Sequence, residues 1–339
     1  MTEPRLTLSA SPHLHTRDST TKIMWNVVFA LLPLVAASGY FFGISALLVV
    51  ATATSATVGT ERLISGKDPI RDGSATITGI LLGLVLPAGM PLWMVVVGGV
   101  AAIGIGKSIF GGLGQNVFNP ALLGRAFLQA AFPQAITTWP TVGGGFFALR
   151  GANFALPLMS GNAPDVITQA TPLGLMKFEQ TGSDVGALFM GNVGGSLGET
   201  SALLILLCGG YLAYRNYLNW RIPASILLTT AVFATILHAI NAEYPGALFM
   251  LFSGGLMLGA VFMATDMVTS PITHRGCWIF GIGIGLLVVL IRVWGGLPEG
   301  VMYAILIMNS LVPFINRATQ PRVFGVPAPS RIKRKAVAS

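Results

Sequence analysis

A chain of 339 residues that is 53% apolar and 9% charged departs from ordinary soluble domains, in which roughly 25% of residues carry charge. Water is not its main solvent, and a lipid membrane is the expected partner. The net charge of +8 does not read as a nucleic-acid interface, because the basic residues fall between apolar runs and form no basic face interleaved with aromatics.

Residues 1–22 are polar, and the apolar run at 23–42 that follows is long enough to cross the roughly 30 Å hydrocarbon core of a bilayer. No small-residue cleavage site comes after it, so it reads as an uncleaved anchor. Further apolar runs lie near 44–60, 74–88, 91–109 and 116–133. After a long break at 134–199 come runs near 200–218, 223–240, 246–264, 276–293 and 300–316. The expected fold is an all-α polytopic membrane protein of about ten transmembrane helices. Its segments are a cytoplasmic N-terminus (1–22), a first five-helix repeat (23–133), a loop (134–199), a second five-helix repeat (200–316) and a basic cytoplasmic tail (317–339).

Charge placement supports this count. An even number of spans puts both termini on one side; if that side is the cytoplasm, it receives all of the 20 basic residues except Arg125, Arg150, Lys177 and Arg292, as the enrichment of Lys and Arg in cytoplasmic loops requires. The 134–199 loop is then periplasmic, across a bacterial inner membrane. Five spans per half is an odd number, so two related halves have opposite orientations, as in many transport proteins. Phe110-Gly111-Gly112-Leu113 and Trp294-Gly295-Gly296-Leu297 close the fourth span of each half. Pairs such as Gly79 and Gly83 suit close helix approach.

Three spans are irregular. The third is short and meets Pro87, the fifth carries Asn116, Asn119, Pro120 and Arg125, and the eighth is split by Gly254 and Gly255. Broken backbone in a membrane is tolerated only where protein or a watery cavity satisfies it, which points to a central site between the halves. Cys208 and Cys277 lie in or beside apolar runs with no ligand spacing to any histidine, so no metal site is expected. No Gly-rich fingerprint follows a strand, so the chain is expected to hold no nicotinamide site of its own.

In the outer loop, Asp165-Val166-Ile167-Thr168-Gln169-Ala170-Thr171-Pro172 reads as a polar turn in which Pro172 biases Thr171 toward extended backbone and exposes its hydroxyl. Thr168-Gln169-Ala170-Thr171 resembles the Ser/Thr-Gly-Ala-Thr flavinylation motif of the NqrB/RnfD family, with Gln169 in place of the family's glycine. Lys107 through Ala121, continuing into Gly124-Arg125-Ala126-Phe127, resembles that family's glycine and asparagine segment. Gly195-Ser196-Leu197-Gly198-Glu199-Thr200-Ser201 resembles the start of its sixth span, and Phe262-Met263-Ala264-Thr265-Asp266 the end of its eighth. The short polar N-terminus is nearer the RnfD branch.

The resemblance implies FMN joined through its phosphate to Thr171, with Thr168 as the fallback acceptor, Asp165 helping to position the modifying enzyme, and noncovalent riboflavin bound by Asn116 and Asn119. It also implies a role as one subunit of a redox-driven ion translocase, with no complete active site of its own. Electron flow between ferredoxin and NAD would then be coupled to Na⁺ or H⁺ movement. The implied partners are the A, B, C, E and G members of the Rnf complex and a flavin transferase. Arg125 needs an anionic partner inside the membrane: a flavin phosphate, an acid of another subunit, or Glu199. Asp266 and Glu61 are candidates for the ion path or, at helix ends, interfacial charges. Asn116 and Asn119 have a second reading as caps of broken backbone, and Ser196 with Glu199 has the spacing of a capping box for the sixth helix. A small-solute channel or carrier of the inverted-repeat type is the alternative function, and it needs no acceptor threonine.

Overall fold

The computed structural model describes residues 18–66, 72–157, 171–179, 182, 184–191, 193–199 and 201–321. Among them the regular structure is helical. The first expected spans appear as α1 (Thr20–Phe42), α2 (Ile44–Ser65), α3 (Ser74–Leu84), α4 (Leu92–Ile103) and α5 (Pro120–Ala131). The second set is α6 (Ala202–Tyr214), α7 (Arg221–Ile240), α8 (Ala247–Phe252), α9 (His274–Trp294) and α10 (Val301–Thr319). Five helices, α1, α2, α7, α9 and α10, are long and apolar enough to cross a membrane alone.

The others are shorter for identifiable reasons. With 11 residues, α3 rises only about 17 Å, because Pro87 lies three residues past its end and removes a backbone donor. In α5 the first turn begins at Pro120, preorganised for an N-terminal position, and Asn119 Oδ1 accepts from Ala121 N at 3.0 Å and Leu122 N at 3.3 Å. The fifth span thus starts four residues later than the apolar run suggests. The eighth breaks where expected: Gly254 adopts φ +62°, a left-handed conformation suited to glycine. A helical turn, Leu256–Leu258, then widens into π-turns at Gly259–Met263. Similar π-turns at Gly104–Ser108 extend α4.

Helix ends stranded inside a bilayer need partners for their free carbonyls, and the loops supply them. Gly198 N donates to Leu84 O at 2.6 Å and Leu197 N to Leu86 O at 3.2 Å. Asn153 Nδ2 donates to Ala88 O at 2.8 Å and Met90 O at 3.1 Å. For α8, Arg292 Nη1 donates to Met250 O at 2.5 Å and Nη2 to Ser253 O at 2.9 Å.

Small residues bring the long helices together. A Cβ on Gly83 would meet Val50 Cα at 2.8 Å, and one on Gly79 would run into the backbone of Thr54, so α3 lies directly against α2. In the other half Gly281 and Gly285 of α9 face Ser225 and Thr229 of α7 in the same way. Across the halves α1 packs on α6 and α5 on α10, closing one continuous core around Leu31, Leu34, Leu82 and Phe280.

Candidate functional site

Between the N-terminal part of α1, α3, the start of α5 and the segment after the eighth-span break lies a cavity of about 840 Å³, counting its open mouth. Its walls are mostly apolar. The polar side chains on it are Ser74, Thr78, Lys107, Asn116, Asn119, Tyr217, Thr265 and Asp266. The asparagines differ in what they can still bind. Asn119, 4% exposed, accepts the two α5 amides and donates Nδ2 to Met263 O at 3.0 Å, so its amide is committed to capping. Asn116 makes a long bond to Phe118 O at 3.4 Å and its side chain also hydrogen-bonds the Asp266 carboxyl, so part of its capacity is left for a ligand.

At the cavity wall, Lys107 Nζ sits 2.6 Å from Glu61 Oε1, which lies behind it, and 2.7 Å from Ser74 Oγ. Glu61 is therefore a buried acid paired to a buried lysine, and its expected place as an interfacial charge in water is corrected. Asp266, half-buried, accepts from Thr269 Oγ1 at 3.1 Å and from Val268 N at 3.4 Å. Asn309 of α10, 1% exposed, ties this region together: with its amide oriented to suit both neighbours, it accepts from Asn119 N at 3.1 Å and donates to Thr269 O at 3.3 Å.

A second buried cluster lies at the junction of the halves. Arg125, on α5, pairs with Glu299 just before α10, and its Nη1 is 3.8 Å from Glu199 Oε1. Of the partners considered from sequence, Glu199 is in place; Glu299, the nearer, was missed. The capping-box reading of Ser196 and Glu199 is corrected: α6 begins at Ala202, and its cap is Ser201, whose Oγ accepts from Leu204 N at 3.3 Å. Glu199 keeps its contact with Ser196 and also faces Arg125.

Thr171 has the extended backbone that Pro172 favours, φ −64° and ψ 152°. It is not exposed, however: the residue is 7% accessible, and its Oγ1 accepts from Gly174 N at 3.1 Å. The expectation of a free, solvent-facing hydroxyl is thus corrected, because the hydroxyl caps the helical turn that Pro172 starts. Close by, a cavity of about 620 Å³, counting its mouth, is lined by Leu173, Met176, Lys177, Tyr244, Met250 and Arg292. Lys177 Nζ donates to Arg292 O at 2.9 Å, Leu297 O at 3.1 Å and Gly295 O. Burial holds its ammonium below the usual lysine range. Thr168, Gln169 and Asp165 lie outside the described residues.

The profile of the NQR2, RnfD, RnfE family matches residues 7–325. The chain belongs to this family. Within it, similarity runs the full length of D-type subunits. The chain is 44% identical over 346 residues to the D subunit of the Na⁺-translocating ferredoxin:NAD⁺ oxidoreductase complex of Acetobacterium woodii, covering all of both. It is 42% identical to the proton-translocating counterpart of Clostridium ljungdahlii, covering 94% of this chain and 96% of the relative. To the D subunit of the ion-translocating oxidoreductase complex of Stutzerimonas stutzeri the identity is 43%, covering 91% and 93%. The RnfD branch, suggested by the short N-terminus, is therefore the right one. Lys107, Arg292 and Asn309, all buried, and the partly buried Glu299 are among the polar residues of this RnfD-type chain that sequence reading left unassigned; the signal available was a charge or amide inside or beside an apolar run.

Proposed function

We propose that the chain is the D-type membrane subunit of an ion-translocating ferredoxin:NAD⁺ oxidoreductase complex, working with the other subunits of that assembly in the inner membrane. The observation that carries this reading is full-length similarity to D-type subunits in a chain whose broken helices border cavities that carry a few polar groups. The same match runs to a sodium-linked and a proton-linked relative, so the coupling ion is set by experiment.

On this reading Thr171 carries FMN as a phosphoester. The chain's own residues fit in part: Thr171 offers the hydroxyl, and the cavity beside Leu173 has mixed polar and apolar walls with Lys177 and Arg292 at hand and Glu243 also on its lining. Because the hydroxyl is buried and capping, the flavin transferase must meet this segment before it docks. The larger cavity suits riboflavin, with Asn116, beside Asp266, placed to hold a polar edge and Asn119 shaping the wall. When bound, the flavins would supply stations for electron transfer; the protein's part is to bind, orient and exclude water. Asp266, on the wall of that cavity, and Glu61, behind it through Lys107, would serve cation uptake.

The decisive experiment is mass measurement of the peptide that contains Thr168 and Thr171, from cells with an active flavin transferase. An FMN adduct on Thr171, lost in Thr171→Ala together with ultraviolet fluorescence of the denatured band, is the expected result. An unmodified peptide in the working complex would overturn the flavin assignment and favour a carrier. Reporter fusions in the 134–199 loop and at both termini test the topology: the loop is expected outside and the termini in the cytoplasm.

A further inference from the structure

We propose that Glu199 is a proton-binding site at the junction of the two halves, where one guanidinium faces two acids, Glu199 buried and Glu299 partly buried. Arg125 gives Nη2 to Glu299 in a close ion pair, leaving Nη1 3.8 Å from Glu199 Oε1, beyond hydrogen-bond distance. The side chains of Arg125 and Glu199 are 7% and 6% exposed, and Glu199 Oε1 has no hydrogen-bond donor.

From its own turn Ser196 meets the carboxyl through backbone and side chain, yet Oε1 still has no donor. From α9, Arg292 directs Nη1 and Nη2 to the carbonyls of Met250 and Ser253. Among the described residues, the cation found within ion-pair distance of Glu199 is Arg125. On the side of the eighth-span break, the carboxyl lies against Gly255, where an added Cβ would meet Oε1 at 2.7 Å. The turn that starts at Leu256 presents its N-terminal end there, which favours an anion, but none of its amides donates to Oε1. Carboxyls buried without a hydrogen-bonded counter-charge neutralise by taking up a proton.

A bare metal cation fits less well. It would sit within a few ångströms of the Arg125 guanidinium, and like charges repel strongly where water is excluded. A proton bound covalently to Oε1 meets no such obstacle. Beside the cluster, a narrow and mostly apolar cavity that Arg125, Gln129 and Glu299 also line offers room and polar partners for a water. Uptake forms one O–H bond on Glu199 at the expense of a hydronium ion; release returns that proton to water when Arg125 turns from Glu299 to Glu199. Because Arg125 stands on α5 and Glu299 before α10, the proton's presence is tied to how the halves meet. No flavin is needed for this inference, so it stands or falls apart from the assignment of Thr171.

The test is infrared difference spectroscopy of the full chain in nanodiscs. At neutral pH the wild type is expected to show the carbonyl stretch of a protonated carboxylic acid, shifted in heavy water. Glu199→Gln should lose the band, and Asp266→Asn should keep it. In Glu299→Gln the freed Arg125 can pair with Glu199, so the band should vanish at neutral pH and return in acid. Absence of the band in the wild type, or its survival in Glu199→Gln, overturns the proposal. If Glu199→Gln aggregates, Glu299→Gln decides, and a band retained there at neutral pH is equally fatal. Loss of the wild-type band on adding sodium chloride would replace the proton by a metal cation.

Discussion

Removing the ammonium of Lys107 should expose how much the buried pair with Glu61 holds. In the native chain the two side chains are 5% and 11% exposed and 2.6 Å apart, and Lys107 also donates to Ser74 Oγ. Glu61 Oε2 already lacks a partner. Lys107→Met therefore leaves a carboxylate buried with nothing to offset it, and breaking such a pair from one side costs about 3–5 kcal/mol. The orphaned Ser74 hydroxyl adds about 1 kcal/mol. Replacing both members, Lys107→Met with Glu61→Leu, should recover most of the loss, because two matched apolar groups avoid the desolvation that the pair has to overcome. Reversible unfolding in mixed micelles, run as a double-mutant cycle with Glu61→Leu alone as the fourth corner, measures the coupling. The reasoning fails if Lys107→Met is as stable as the wild type, or if the double variant is no more stable than the sum of the singles.

Gly79→Ala places a methyl group against the Thr54 backbone and should cost about 1–3 kcal/mol by overpacking, whereas Gly59→Ala, with open space around it, should be neutral in the same unfolding assay. Ser201→Ala removes the α6 cap and should cost about 1 kcal/mol; equal or greater loss in Ser196→Ala would restore the capping-box reading. Arg292→Met gives up two charge-assisted hydrogen bonds to the end of α8, each worth about 1.5–3 kcal/mol, and should speed proteolysis at 253–255. Thr171→Ser keeps the hydroxyl and should keep the flavin adduct, while Thr171→Val should abolish it at nearly unchanged shape, read by peptide mass.

Much of the architecture was legible because a bilayer has one thickness and imposes a free-energy cost on every polar group placed in it. Apolar run lengths therefore located ten segments, and Pro87, Asn119-Pro120 and Gly254-Gly255 located the breaks, each through a local backbone rule. Asn119 as a cap was equally readable, since its donors lie two and three residues on. Glu199 had two readings from sequence, a helix-start partner of Ser196 and an acid for Arg125, and the approach of α5 is what brings the second about.

By itself, then, the sequence determined solvent, span order and the places where helices stop, all of which follow from neighbours along the chain. Tertiary structure alone decided which buried charges meet. Lys107 finds Glu61 across 46 residues and Arg125 finds Glu299 across 174, and nothing local marks either partner. It also decided that the Thr171 hydroxyl is buried, since the extended backbone set by Pro172 says nothing about what packs over it. Backbone preferences are short-ranged, whereas the electrostatics of a low-dielectric interior depends on every group that folding brings within a few ångströms.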